Sequence, residues 1–440
     1  MDVLRRSRGS DPHRTARRSR RLTGSLAALA TAAGVLTACG SSSSATPTLT
    51  WYINPDSGGQ AAVAAACSKA SNGAYNVVTQ TLPQDAGQQR VQLARRLAAH
   101  DSGIDIMSID PPYTAELSNA GFLAPIPQAE QQTLTSQSFK GAAAAATWGG
   151  QLVAYPFWSN TQVLWYRKSF AQKANLDMTK PVTWDQIIKA ASDNGGTVAV
   201  QANKYEGYVV WINALISGAG GSLISDAAQG VDAKVDINSQ AGDDAANVIH
   251  ELASSKAAPP DLTISQEGQA GSAFGAANGA FMVNWTYIWH NYDTTAPSVA
   301  KDIGYAMYPE TVSGKTSAPP YGGIGIGVSA YSSHVDLATQ AASCIVKPEN
   351  QGINAELTGN MPASPGGYQD PKLQKLYPPQ LLQLFQASLN AAAPRSVTPY
   401  WSDISGAIQS TWHPPTAVNS KTPASSSTFI EDVLKGKSLL

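Results

Sequence analysis

Thr48-Leu49-Thr50-Trp51-Tyr52-Ile53, broken at once by Asn54-Pro55-Asp56-Ser57-Gly58-Gly59 and followed by an Ala-rich run from Gln60 to Ala70, reads as strand, loop and helix. The first six residues alternate and are rich in β formers, whereas Pro, Asp and paired Gly punctuate the chain before helical composition takes over. The cycle then repeats. Asn76 to Leu82 predicts a second strand, Gln88 to His100 a helix, and Ile104 to Ile109 a short buried strand that stops at Asp110-Pro111-Pro112. Strands alternating with helices predict a parallel α/β sheet. In such sheets ligands sit beyond the carboxyl ends of strands, and Asn54 and Asp110 occupy two of those ends. Two prolines after Asp110 forbid continuation of the strand and turn its side chain outward; the competing role for that carboxylate is to cap the helix that follows.

Upstream of this unit, Arg14, Arg17, Arg18, Arg20 and Arg21 precede an apolar stretch from Ser25 to Ala38, too short to span a bilayer comfortably. Residues 1–38 therefore read as a signal peptide. Leu36-Thr37-Ala38-Cys39 resembles the lipobox of bacterial lipoproteins, which implies cleavage before Cys39, acylation of its thiol and anchoring to the outer face of the cytoplasmic membrane. Ser19-Arg20-Arg21 hints at twin-arginine export, but Thr23 and Gly24 stand where that signal wants apolar residues, so the route stays open. Residues 39–47, rich in Ser, form a flexible tether. No later run has membrane-spanning length and apolarity.

A net charge of −1 with 14% charged residues offers no basic field for nucleic acid and favours a neutral ligand. With Cys39 assigned to lipid, Cys67 and Cys344 remain; in an exported chain they read as a disulfide, two separate buried thiols being the alternative. The six His lack metal spacing, and no nucleophile elbow, zinc-protease motif or phosphate loop occurs, so neither a metal nor another cofactor is expected. Gly322-Gly323-Ile324-Gly325-Ile326-Gly327 mimics a dinucleotide fingerprint, yet Ile324, Ile326 and Val328 alternate as a strand through the glycines where that motif needs a helix.

Further along lie Tyr155-Pro156-Phe157-Trp158-Ser159-Asn160-Thr161, an apolar strand ending Tyr166-Arg167-Lys168-Ser169-Phe170, and Pro181-Val182-Thr183-Trp184-Asp185-Gln186-Ile187 opening a helix with Thr183 as N-cap. Ala273 to Trp285, Tyr305 to Pro309 and Tyr321 to Val328 follow. In this order the segments resemble ABC-transporter solute-binding proteins for oligosaccharides. The resemblance implies a two-lobe, Venus-flytrap α/β fold with crossings near Phe157, Tyr321 and Met361-Pro362: residues 48–157 with 321–361 as one lobe, 158–320 with 362–440 as the other. It also implies a monomeric receptor that passes a disaccharide, trehalose first and maltose or another α-linked sugar next, to permease and ATPase subunits.

Recognition of a neutral disaccharide needs forked hydrogen-bonding groups for vicinal hydroxyls and aromatic faces for the C–H faces of the rings. Asn54 and Asp110 are candidates from the first lobe; Asn160 and Gly323 stand near the crossings, Gly323 offering backbone without a side chain in the way. Glu267, Trp285, Tyr287, Arg395 and Trp401 are candidates from the second lobe. Each has a plainer role: Asn160 as a hinge-turn residue, Glu267 as a first-turn helix acid, Trp285 as core, and Arg395 as a surface partner of Asp403. Asp110 and Glu267 facing each other would also suit a glycoside hydrolase, and a lipoprotein adhesin with no small ligand is a third class.

Overall fold

The structure, a computed structural model, describes residues 46 to 440; the expected signal peptide, Cys39 and the expected tether as far as residue 45 lie outside the described residues. Strand β1 (Thr48–Ile53), helix α1 (Gly59–Ala70), β2 (Asn76–Thr81), α2 (Ala86–Ala98) and β3 (Ile106–Ile109) follow in the expected order, each boundary lying within two residues of its sequence reading. β1 runs parallel to both β2 and β3, with Trp51 opposite Thr79 and Ile106. Its alternation has a direct consequence: Leu49, Trp51 and Ile53 point into the core while their neighbours are partly or fully exposed.

β4 (Tyr155–Arg167) is thirteen residues long and buried along its first eleven. It is followed by α3 (Trp184–Asn194), β5 (Thr197–Ala199), α4 (Glu206–Gly218), α5 (Glu267–Gly275), β6 (Gly279–Trp285), β7 (Ile303–Ala306), β8 (Tyr321–Val328), α6 (Val335–Ile345), α7 (Pro348–Thr358) and α8 (Trp401–Trp412). Thr183 and Gln186 close a capping box at the start of α3, as the Pro-x-Thr-Trp segment predicts.

The strands form one ladder in the order β2-β1-β3-β8-β4-β6-β5, with β7 also on β4. Within it β4 changes partners: Tyr155 to Thr161 pair antiparallel with β8, and Gln162 to Arg167 pair with β6 and β7. Met361 and Pro362 come alongside at the same level, Ser159 donating to the Met361 carbonyl and Trp158 bridging Pro362. Three chain segments therefore run side by side at this level of the ladder.

Three apolar clusters hold the body. One surrounds Trp51 and Phe157 against α1 and α6, and the Cys67–Cys344 disulfide joins those two helices inside it. A second packs Trp184, Trp211, Trp401 and Trp412 among α3, α4 and α8; the third gathers Trp165, Phe274, Met361 and Phe385. Among the described residues no helix is long and apolar enough to cross a membrane.

Candidate functional site

Between the two ends of the ladder lies a cavity of about 410 Å³. Asn54, Asp110, Asn160, Glu267, Trp285, Tyr287, Gly323 and Arg395, drawn from widely separated parts of the chain, all line it.

The loop after β1 is fixed by a relay. Trp51 Nε1 donates to Ser108 Oγ (3.1 Å), Ser108 Oγ to Gln60 Oε1 (2.7 Å), and Gln60 Nε2 to the Asn54 carbonyl (2.9 Å). Asn54 is thereby presented at the cavity, and its buried Oδ1 has no hydrogen-bond partner among the described residues. Asp110 does not cap the helix after it. Instead its Oδ1 accepts from Arg395 Nη2 at 2.8 Å, while Arg395 Nη1 donates to Glu206 Oε1 at 2.7 Å. The surface pair between Arg395 and Asp403 is accordingly not formed: Arg395 is 6% exposed and sits between two carboxylates.

Burial pushes the Asp110 carboxyl up to about 6; Arg395 opposes that rise and the negative charge of Glu206 adds to it. For Arg395 burial disfavours the charge, but Asp110 and Glu206 outweigh it and the guanidinium stays firmly protonated.

Across the cavity Glu267 heads α5, whose capping box is closed by Gln266 and Gln269. It is a first-turn acid, and it also lines the cavity. Its Oε1 accepts from Trp285 Nε1 (3.0 Å) and its Oε2 from the Tyr287 hydroxyl (3.5 Å). Desolvation raises its carboxyl to about 7 against these two donors. The Trp285 ring lies over Gly322, where a Cβ would come within 2.7 Å of the indole. Gly323 has φ +136°, and a Cβ there would fall 2.2 Å from the Trp158 carbonyl oxygen, so only glycine lets β8 pass this close to β4.

Asn160 is buried among the crossing segments, its Nδ2 donating to Asn360 Oδ1 (2.9 Å) and its Oδ1 accepting from Thr286 Oγ1 (3.2 Å) and the Met361 amide (3.3 Å). It is thus part of the junction as well as of the cavity wall.

Trp401 requires a correction. It is fully buried at the start of α8, lies off the cavity and donates its Nε1 to Glu206 Oε1 at 2.9 Å, because α8 packs its apolar face on α4. No indole face is free to stack. Trp289, which shares the strand phase of Trp285 and Tyr287 in sequence, also lies off the cavity, since the strand ends at Trp285 and a helix begins at Ile288. Trp158 and Asn360 line the cavity without having been singled out in the sequence, and Glu206 stands behind Arg395. Glu206 did leave a signal: it is a lone carboxylate heading a helix in which every residue but Ser217 is buried, a place where charge survives only if paired.

In chemical terms the cavity offers two carboxylates of raised affinity for protons, one guanidinium, several amides and two indoles. Such a set grips hydroxyls by charge-assisted bonds and covers an apolar ring face. Among the described residues no group of His, Cys, Asp and Glu is placed to hold a metal ion.

A probable ABC transporter-binding protein from Deinococcus radiodurans is 26% identical over 330 residues, 72% of this chain and 76% of that protein. Maltose-bound MalE3 of T. maritima superposes with a TM-score of 0.77 at 21% identity, over 88% of this chain and 99% of that one. The GacH receptor of Streptomyces glaucescens does so with 0.75 at 19% identity, over 89% and 100%. These likenesses agree with the two-lobe α/β architecture. The pattern of the bacterial extracellular solute-binding proteins matches residues 52–352, most of the ladder and both faces of the cavity, and the chain belongs to that family.

Proposed function

We propose that this chain is a membrane-anchored receptor that captures a neutral disaccharide, trehalose first, and delivers it unchanged to the permease and ATPase of an ABC importer. In this reading it is an LpqY-type mycobacterial trehalose-binding lipoprotein, exported and held by lipid on Cys39. The lobes divide at residues 157/158, 320/321 and 361/362, and Asn54, Asp110, Asn160, Glu267, Trp285, Tyr287, Gly323 and Arg395 form the sugar site.

The observation that carries the reading is the opposition of Asp110–Arg395 to Glu267–Trp285 across one cavity. Forked, charge-assisted acceptors and donors suit vicinal hydroxyls, and the indole suits a pyranose face. The lipobox sequence supports the anchor. Asp110 is tied to a guanidinium and Glu267 to an indole N–H and a phenol, so each carboxyl is arranged to hold rather than to hand a proton to a glycosidic oxygen.

Maltose is the second ligand considered, because the T. maritima protein was solved with it bound. Calorimetric titration with trehalose, maltose and longer α-glucans, with free glucose followed in the same samples, tests the proposal. Saturable binding of trehalose without glucose release is expected. Preference for maltose replaces the sugar, glucose release makes the chain a hydrolase, and no binding at all ends the reading.

A further inference from the structure

We propose that Glu206 is a positioning residue for sugar recognition: standing outside the sugar cavity, it holds Arg395 so that the guanidinium braces Asp110 toward the ligand. The inference rests on the function proposed above and adds a residue to that site.

Glu206 lies at the head of α4, 4% exposed, on the wall of a neighbouring compartment that shares Asp110, Glu267, Trp285 and Arg395 with the sugar cavity. Its acceptor capacity is already taken. Oε1 receives Arg395 Nη1 (2.7 Å) and Trp401 Nε1 (2.9 Å), and Oε2 receives Ser405 Oγ and the Tyr113 hydroxyl (3.3 Å). A carboxylate with four donors has nothing left for a sugar hydroxyl, which excludes contact and leaves orientation.

The four donors come from the helix after β3, from the segment carrying Arg395, and from α8, so Glu206 is held from three directions. Arg395 in turn uses one edge for Glu206 and another for Asp110. Among the described residues Asp110 takes a hydrogen bond from the protein only at Oδ1, so Oδ2 remains for a ligand. Without Glu206 the guanidinium would have one carboxylate partner in a buried place and its direction would no longer be set.

The charge of Glu206 also acts on Asp110 itself. Arg395, Glu206, Asp85, Glu267, Tyr113 and Tyr321 are the titratable groups facing Asp110, and of these Glu206 raises its proton affinity most. This supplies a readout that a packing role would not move.

The test is trehalose titration from pH 4.5 to 8 on the full chain carrying E267Q, which silences the other raised carboxyl, with and without E206Q or E206D. E206Q is expected to weaken binding about tenfold at pH 7.5 and to move the acid limb of the affinity profile down by about half a pH unit. E206D keeps the charge, so its limb stays in place and affinity recovers in part. Affinity unchanged by E206Q, or lost with the limb unmoved, overturns the proposal. Should E206Q fail to fold, S405A loosens Glu206 by one donor and is expected to weaken trehalose binding about threefold; no change there overturns it equally. If the unmodified chain binds no disaccharide, the receptor reading fails by itself, and a carboxyl-carbon NMR titration of Asp110 in the free protein still decides the role of Glu206: an Asp110 midpoint that E206Q does not lower refutes it.

Discussion

Asp110 and Glu267 approach one cavity from opposite sides, each anchored by a partner of its own. Truncation of either to alanine removes a charge-assisted acceptor and frees a buried donor, so D110A and E267A are each expected to weaken disaccharide binding at least about tenfold by calorimetry. Native-like affinity in both would place the sugar elsewhere. Glu267 also writes itself into stability. Its carboxyl ordinarily loses its proton near 4.5 and here near 7, so between these values the folded chain retains a proton that the unfolded chain has released. That contribution is complete below pH 4.5 and is lost as pH rises through 7. E267Q, a neutral mimic, should therefore gain on the order of 1 kcal/mol or more over the unmodified chain at pH 8 relative to its effect at pH 4 in urea unfolding. Equal effects at both pH values would show that the carboxyl is not desolvated. Asn54, Asp110 and Glu267 were legible as site candidates because strand ends and helix starts are local features of sequence. The burial of Trp401 was not legible: a Trp beside Arg and Pro reads alike on a cleft and under a helix, and only the packing of α8 on α4 distinguishes them.

Between β4 and β8 the elements approach so closely that side chains are excluded. Gly323 has φ +136° and no room beside the Trp158 carbonyl, so G323A is expected to cost about 1–3 kcal/mol, seen as a lower urea midpoint with unchanged slope. A neutral result would mean that the two strands part freely. Strand and helix order for the first five elements followed from alternation and breakers, since each is a local pattern with its own punctuation. The partner change within β4 was beyond such reasoning. A polar run, Ser159-Asn160-Thr161-Gln162, sits at the change between apolar halves, but alternation within one strand does not say which distant strand pairs with each half.

At the scale of the molecule, one continuous strand and two adjacent segments run side by side at the middle of the ladder, and the cavity is lined from both of its ends. On the proposed function, contacts made from both lobes would reward the arrangement in which the lobes are near, and a bound sugar would draw the population toward it. Small-angle scattering is expected to show a smaller radius of gyration with saturating disaccharide, by roughly 1 Å, and no change with a sugar that calorimetry finds inert. Identical profiles in the presence of a bound sugar would mean that capture needs no closure. The Cys67–Cys344 bond has a different reach. Its two sulfurs stand 277 residues apart in the chain, and everything from β2 to β8 lies in the loop they shut. A protease that nicks any surface turn in that loop therefore severs the backbone without releasing a fragment: the cut protein should migrate as one band on a non-reducing gel and as two once thiol is added.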